Sequence, residues 1–101
     1  MDVQLNGERV KLNLDMGLTA NHVADLNEQV ERLLPEDHKF RELIFDLCNT
    51  ENIDSVGVTF VISLYKAMKS KKKSFRIVGA NEDVQSLFKL MKLDQFFEID
   101  Y

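Results

Sequence analysis

The chain has 101 residues, 45% of them apolar and 30% charged, with a net charge of −4. That suits one modest globular domain, residues 1–101, and excludes both two domains and a disordered chain. A single cysteine excludes an intrachain disulfide and a cysteine-rich zinc site, and the mildly acidic balance lends no support to a nucleic-acid partner.

Val3 and Leu5 alternate with polar residues, Asn6-Gly7 follows, and Val10, Leu12 and Leu14 alternate again. Asn-Gly between two alternating runs signals a hairpin, with strands near 2–6 and 9–15. Gly17-Leu18-Thr19 ends it, and Thr19 can cap the next helix. Val23, Leu26, Val30, Leu33 and Leu34 recur at helical spacing, predicting a helix near 20–34 that Pro35 stops.

Leu43-Ile44-Phe45 and Leu47 make an almost unbroken apolar run over 40–47, as in a strand covered on both faces. Cys48-Asn49-Thr50-Glu51-Asn52 is polar and turn-prone. Asp54 and Ser55 stand where a helix N-cap belongs, ahead of a helix over about 55–69. Val58, Val61, Ile62, Tyr65 and Met68 would form its buried face. Val56, Phe60, Ser63 and Ala67 lie opposite, with Phe60 the odd residue, roughly one turn from Ser55.

Lys69-Ser70-Lys71-Lys72-Lys73 reads as a solvated helix end that complements the dipole, in preference to a docking patch. Phe75, Ile77 and Val78 make a third short strand, ending at Gly79. Asn81 caps a helix whose buried stripe is Val84, Leu87, Phe88 and Met91, with Leu90 beside it. Leu93, Phe96, Phe97 and Ile99 close the chain as packing and a short edge strand. The order predicts an α/β fold: an N-terminal hairpin, then β-α repeats in a mixed sheet with right-handed crossovers. Ser55 then falls at the carboxyl edge of its strand, where sites in open α/β sheets gather.

Enzyme readings fail on the residues. There is no GxxxxGK[ST] phosphate loop. Nothing orients His22, on a helix, or His38, in a loop, as a base for a nucleophile, and both read as surface histidines. Cys48 reads as a strand-end packing residue, and Asp46 as a loop-organising carboxylate ahead of a functional one. No cofactor or metal site is expected. MDVQLNGERV is not a signal peptide and no apolar run approaches a membrane span, so a cytoplasmic protein without direct membrane insertion is expected. For Ser55 itself, a plain helix-start role fits periodicity alone. Backbone N–H groups and the helix dipole also make it an easy place for phosphate.

An apolar strand ending Asp46-Leu47, a polar loop, Ile53-Asp54-Ser55-Val56-Gly57 and an apolar helix resemble the STAS domain of bacterial anti-sigma factor antagonists. LYKAMK and SFRIVGANEDVQSLFKLMKLDQFFEI resemble the family's later elements, so the resemblance covers essentially the whole chain. It implies a partner switch rather than an enzyme. The antagonist binds an anti-sigma factor that is also a serine kinase, phosphorylation of Ser55 ends the binding, and a metal-dependent PP2C-type phosphatase restores it. Sigma-factor-dependent transcription would follow. The contacts implied are Thr19, Asn52, Asp54, Ser55, Val56, Gly57, Thr59, Phe60 and Ser63, with Val56 and Phe60 supplying the apolar part. Val56 replaces the family's usual second serine, Thr59 a common glycine, and Thr19 a frequent aspartate. The alternative is a STAS subunit docked in a lipid-transport ABC assembly without phosphorylation. A nucleotide-binding role ranks below both, because the basic residues cluster away from the Ser55 loop.

Overall fold

The computed structural model describes residues 2–33 and 40–100. Its chain order is β1 (Asp2–Asn6), β2 (Arg9–Asn13), α1 (Ala20–Leu33), β3 (Glu42–Asp46), α2 (Ser55–Ser70), β4 (Ser74–Val78), α3 (Glu82–Leu90), a 3-10 turn (Leu93–Gln95) and β5 (Glu98–Asp100). β1 and β2 pair antiparallel around the expected turn, where Gly7 sits at φ 64. Glycine reaches that left-handed region without a Cβ clash. From β2 onward each strand lies parallel to the next, so order across the sheet is order along the chain.

The parallel strands alternate cleanly. Val10 and Leu12, Leu43 and Phe45, and Phe75 and Ile77 are buried on one face. Leu26 of α1, Val61 and Leu64 of α2, and Val84 and Phe88 of α3 join them in one core. Three crossovers of one hand put the three helices on the same side of the sheet.

That corrects the expectation of a doubly covered β3. Ile44 points to the other face, half-buried between its register neighbours Lys11 and Arg76. This face is charged rather than apolar. Arg9 and Arg76 approach Glu42 at 3.8 and 2.7 Å, and Arg76 reaches Glu98 at 3.9 Å.

α3 begins as predicted, with the Asn81 side chain accepting from the Val84 N–H at 2.9 Å. Its far end differs. The helix stops at Leu90, Met91 is the C-cap, and both side chains are exposed, because the helical phase that would bury Met91 has already ended. Leu34, Pro35 and His38, invoked for the end of α1 and the loop after it, lie outside the described residues. Among the described residues no helix is long and apolar enough to cross a membrane.

Candidate functional site

β2 and β3 are neighbours, so the loops that leave their carboxyl ends run side by side. The parallel ladder continues between them. The Leu14 N–H donates to the Asp46 carbonyl at 3.1 Å, and the Leu18 N–H to the Asn52 carbonyl at 2.8 Å. The Asp54 N–H then donates to the Leu18 carbonyl at 3.1 Å. Thr50, buried within the second loop, donates its hydroxyl to the Met16 carbonyl at 3.0 Å, which satisfies a group that burial would otherwise penalise. Leu18 and Thr50 were not among the expected site residues. Leu18 acts through its backbone, which leaves no mark in a side-chain pattern.

Asp54 is the hub. It caps α2, its Oδ1 accepting from the Gly57 N–H at 2.9 Å. Its Oδ2 accepts from the Ala20 N–H, the first of α1, at 3.0 Å. One carboxylate therefore holds the starts of two helices. The Ala20 and Gly57 N–H groups keep its pKa below the usual carboxylate value. Thr19 precedes α1, and its carbonyl accepts from the Val23 N–H at 3.1 Å.

Ser55 is the first residue of α2 and is exposed, with the capping already done by Asp54. Its carbonyl accepts from the Thr59 hydroxyl at 3.0 Å. Val56 is 42% exposed, and Thr59 and Ser63 follow it at i+3 and i+7, both exposed. Asn52 is exposed on the adjoining loop, beside a polar cleft of about 280 Å³ that Asp15, Gly17 and Glu51 also line. Thr19, Asn52, Asp54, Ser55, Val56, Thr59 and Ser63 thus share one edge and one helix stripe.

Two expected contact residues are elsewhere. Phe60 is 4% exposed and packs into the core, edge-on to Phe45 with ring centroids 6.1 Å apart. Val58, Val61 and Met68 of α2 are buried as expected, but Gly57, Phe60 and Leu64 are buried with them while Ile62 and Tyr65 are only partly buried, so the buried face is rotated in part from the expected phase. Gly57 is buried beneath Leu18, where a Cβ would stand 1.8 Å from the Leu18 carbonyl oxygen. Its place in the motif is explained by this close approach of backbones.

Asp46 organises the second loop. Burial raises its pKa, but the Cys48 N–H at 2.9 Å and Lys11 at 3.2 Å outweigh burial and lower it overall. Cys48 is exposed, not packed as expected, because the chain turns outward after Leu47. The Asp46 carboxylate beside its thiol pushes that pKa up. Among the described residues no cluster of three or more His, Cys, Asp or Glu side chains forms a metal site.

A family model described as "Mlab, STAS domain" matches residues 1–99. Solved structures match as well. A Thermotoga maritima protein, described as a candidate anti-sigma factor antagonist, superposes with a TM-score of 0.89 at 21% identity, over 99% of this chain and 85% of that one. The Bacillus cell fate determinant SpoIIAA, in its phosphorylated form, gives 0.73 at 14% identity over 99% and 89%. A sulfate transporter family protein from Wolinella succinogenes gives 0.76 at 7% identity over 97% and 81%. At these identities the likeness is one of fold.

Proposed function

The chain belongs to the STAS domain family, and from that premise we propose that it is an anti-sigma factor antagonist, a binding protein switched by phosphorylation of Ser55. The reading rests on the division of labour at the start of α2. Asp54 holds the helix start, while Ser55 is exposed and free of any capping duty. In the partner complex, a kinase-type anti-sigma factor covers Val56, Thr59 and Ser63 and buries Ser55 at the rim.

That same partner transfers the γ-phosphoryl group of ATP to Ser55 Oγ. The new Oγ–P bond replaces the one to ADP, and the hydroxyl proton is lost. Phosphoserine brings roughly −1.5 to −2 charges at pH 7. At a helix N-terminus that charge is tolerated by its own fold. Under a packed partner it is not, because it must be desolvated against Val56 and lies beside the Asp54 carboxylate. A PP2C-type phosphatase hydrolyses the ester and restores the docking surface. The downstream effect is release of a sigma factor and a change in transcription.

A second reading is a STAS subunit docked permanently in a transport assembly. The exposed Val56, in place of the family's usual second serine, favours it, since an apolar contact needs no phosphate control. The likeness to the Wolinella transporter-family protein supports the same reading.

One experiment separates the two. The protein is incubated with ATP and its cognate kinase-type partner, and its intact mass is followed with complex formation. The switch predicts one added phosphate on Ser55 and loss of the complex, with Ser55→Asp unbound and Ser55→Ala bound. Equal binding by both variants, with no added mass, would leave only the docking subunit.

A further inference from the structure

The opposite edge of the sheet has a different surface. α2 has 16 residues, which makes it about 24 Å long. Its far end feeds β4, and the end of α3 feeds the neighbouring β5, so both helix ends lie on that edge. Lys69, Lys71, Lys72 and Lys92 are exposed there, in a chain whose net charge is −4. Leu90, Met91 and Phe96 are exposed there too, at 77%, 45% and 57%.

Of these, Lys69 and Phe96 line one groove, and Lys71 and Lys72 follow Lys69 at the end of α2. The Phe96 ring stands 6.2 Å from that of Tyr65, and Lys69 Nζ lies 6.0 Å from the same Tyr65 centroid. Phe75 and Phe97 add to an aromatic lining around a cavity of about 360 Å³. Glu42 and Glu98 also line it, but Arg76 binds both, at 2.7 and 3.9 Å. With Lys69 and Lys73, which also line it, the charged lining is three cations to two carboxylates, and the exposed Lys71 and Lys72 add to the positive side of this edge. Lysines at a helix end are explained by the dipole alone. A half-exposed phenylalanine and two exposed aliphatic side chains beside them are not.

We propose that this groove docks an acidic segment of a partner protein. An apolar or aromatic side chain of that segment enters beside Phe96 and Tyr65, while its carboxylates face Lys69, Lys71 and Lys72. The groove's concavity favours a peptide over an anionic membrane, since a flat bilayer would leave it unfilled. The site is a helix length from Ser55, so both can be occupied at once, and it stands independently of the phosphorylation reading.

The test uses the full chain as bait for a random peptide library displayed on phage. The enriched peptides are then measured by fluorescence anisotropy. The expected peptides are acidic with an apolar or aromatic residue. Phe96→Ser and Lys69→Glu each weaken their binding by about tenfold or more, added salt weakens it further, and Ser55→Asp leaves it unchanged. Both altered residues are exposed, so a matching thermal melt identifies a folded variant. No enrichment, enrichment of neutral or basic peptides, or affinity indifferent to both variants overturns the proposal. So does binding confined to vesicles of phosphatidylcholine and phosphatidylserine.

Discussion

Gly57 lies against the backbone of Leu18 so closely that a β-carbon at Gly57 would sit 1.8 Å from the Leu18 carbonyl oxygen and 2.6 Å from its carbonyl carbon. Neither atom belongs to a side chain that can swing aside. The contact also presses the start of α2 onto the loop that leads into α1.

Gly57→Ala is therefore expected to destabilise the fold by roughly 3 kcal/mol, the upper part of the range for overpacking. Urea unfolding measures it. Gly17→Ala is the control. Its added carbon meets Asn52 and Thr19 atoms at no closer than 3.5 Å, an ordinary contact. A Gly57→Ala protein as stable as the control would contradict the packing described.

Phe60→Ala is expected to cost about 3–5 kcal/mol, because a fully packed ring leaves a cavity that its surroundings fill only in part. Phe60 touches Phe45, itself completely buried. Phe96→Ala should change the urea midpoint far less, its ring being more than half exposed. Comparable losses for the two would place Phe60 at the surface after all.

Ser55→Ala should leave stability within about 0.5 kcal/mol of the parent, because Asp54 and not Ser55 makes the capping bond. Thermal melts read this directly. A large loss would show that the hydroxyl has a structural duty, and any binding effect of the variant would then lose its meaning as a switch.

Acid sensitivity follows from Asp54 and Asp46, both lowered in the folded chain. A carboxylate with a depressed folded pKa stabilises the fold fully above its unfolded pKa. That contribution is lost as pH falls through the folded value. The parent should therefore lose stability progressively below the ordinary carboxylate range, and Asp54→Asn should lose less over the same interval. Parallel pH profiles for the two would remove Asp54 from the account.

Cys48 is exposed yet should alkylate slowly near neutral pH. The Asp46 carboxylate raises its thiol pKa, and only the thiolate is nucleophilic. The pH midpoint of iodoacetamide labelling should exceed that of an unstructured cysteine peptide. A lower midpoint would mean that the thiol does not face Asp46.

Much of the fold is written in local signals. Asn6-Gly7 announces the hairpin, Asn81 caps α3, and Asp54 marks the entry to α2, each through side-chain chemistry acting within a few residues. The rotation of α2 is not written so plainly. Val56, Val58, Phe60, Val61, Ile62, Leu64, Tyr65 and Met68 distribute apolar surface around most of the helix, so spacing alone admits several phases. The sheet resolves them in favour of Phe60 and Leu64. Ile44 misled for a related reason. A single aliphatic residue on the bare face completes an apolar run that resembles double coverage. The candidate site was half legible. Asp54 and Ser55 stand out in sequence, but the tie to Ala20 spans 34 residues and needs the strand pairing to bring it about.

That tie has a consequence for motion. Helix ends ordinarily fray one at a time, each on its own clock. Here the Ala20 and Gly57 amides share one acceptor group, so opening either helix start leaves the other's anchor under altered tension. Their amide protons should exchange with solvent as a correlated pair. Whatever loosens or stiffens the start of α2 is then felt at the start of α1, on a different stretch of chain.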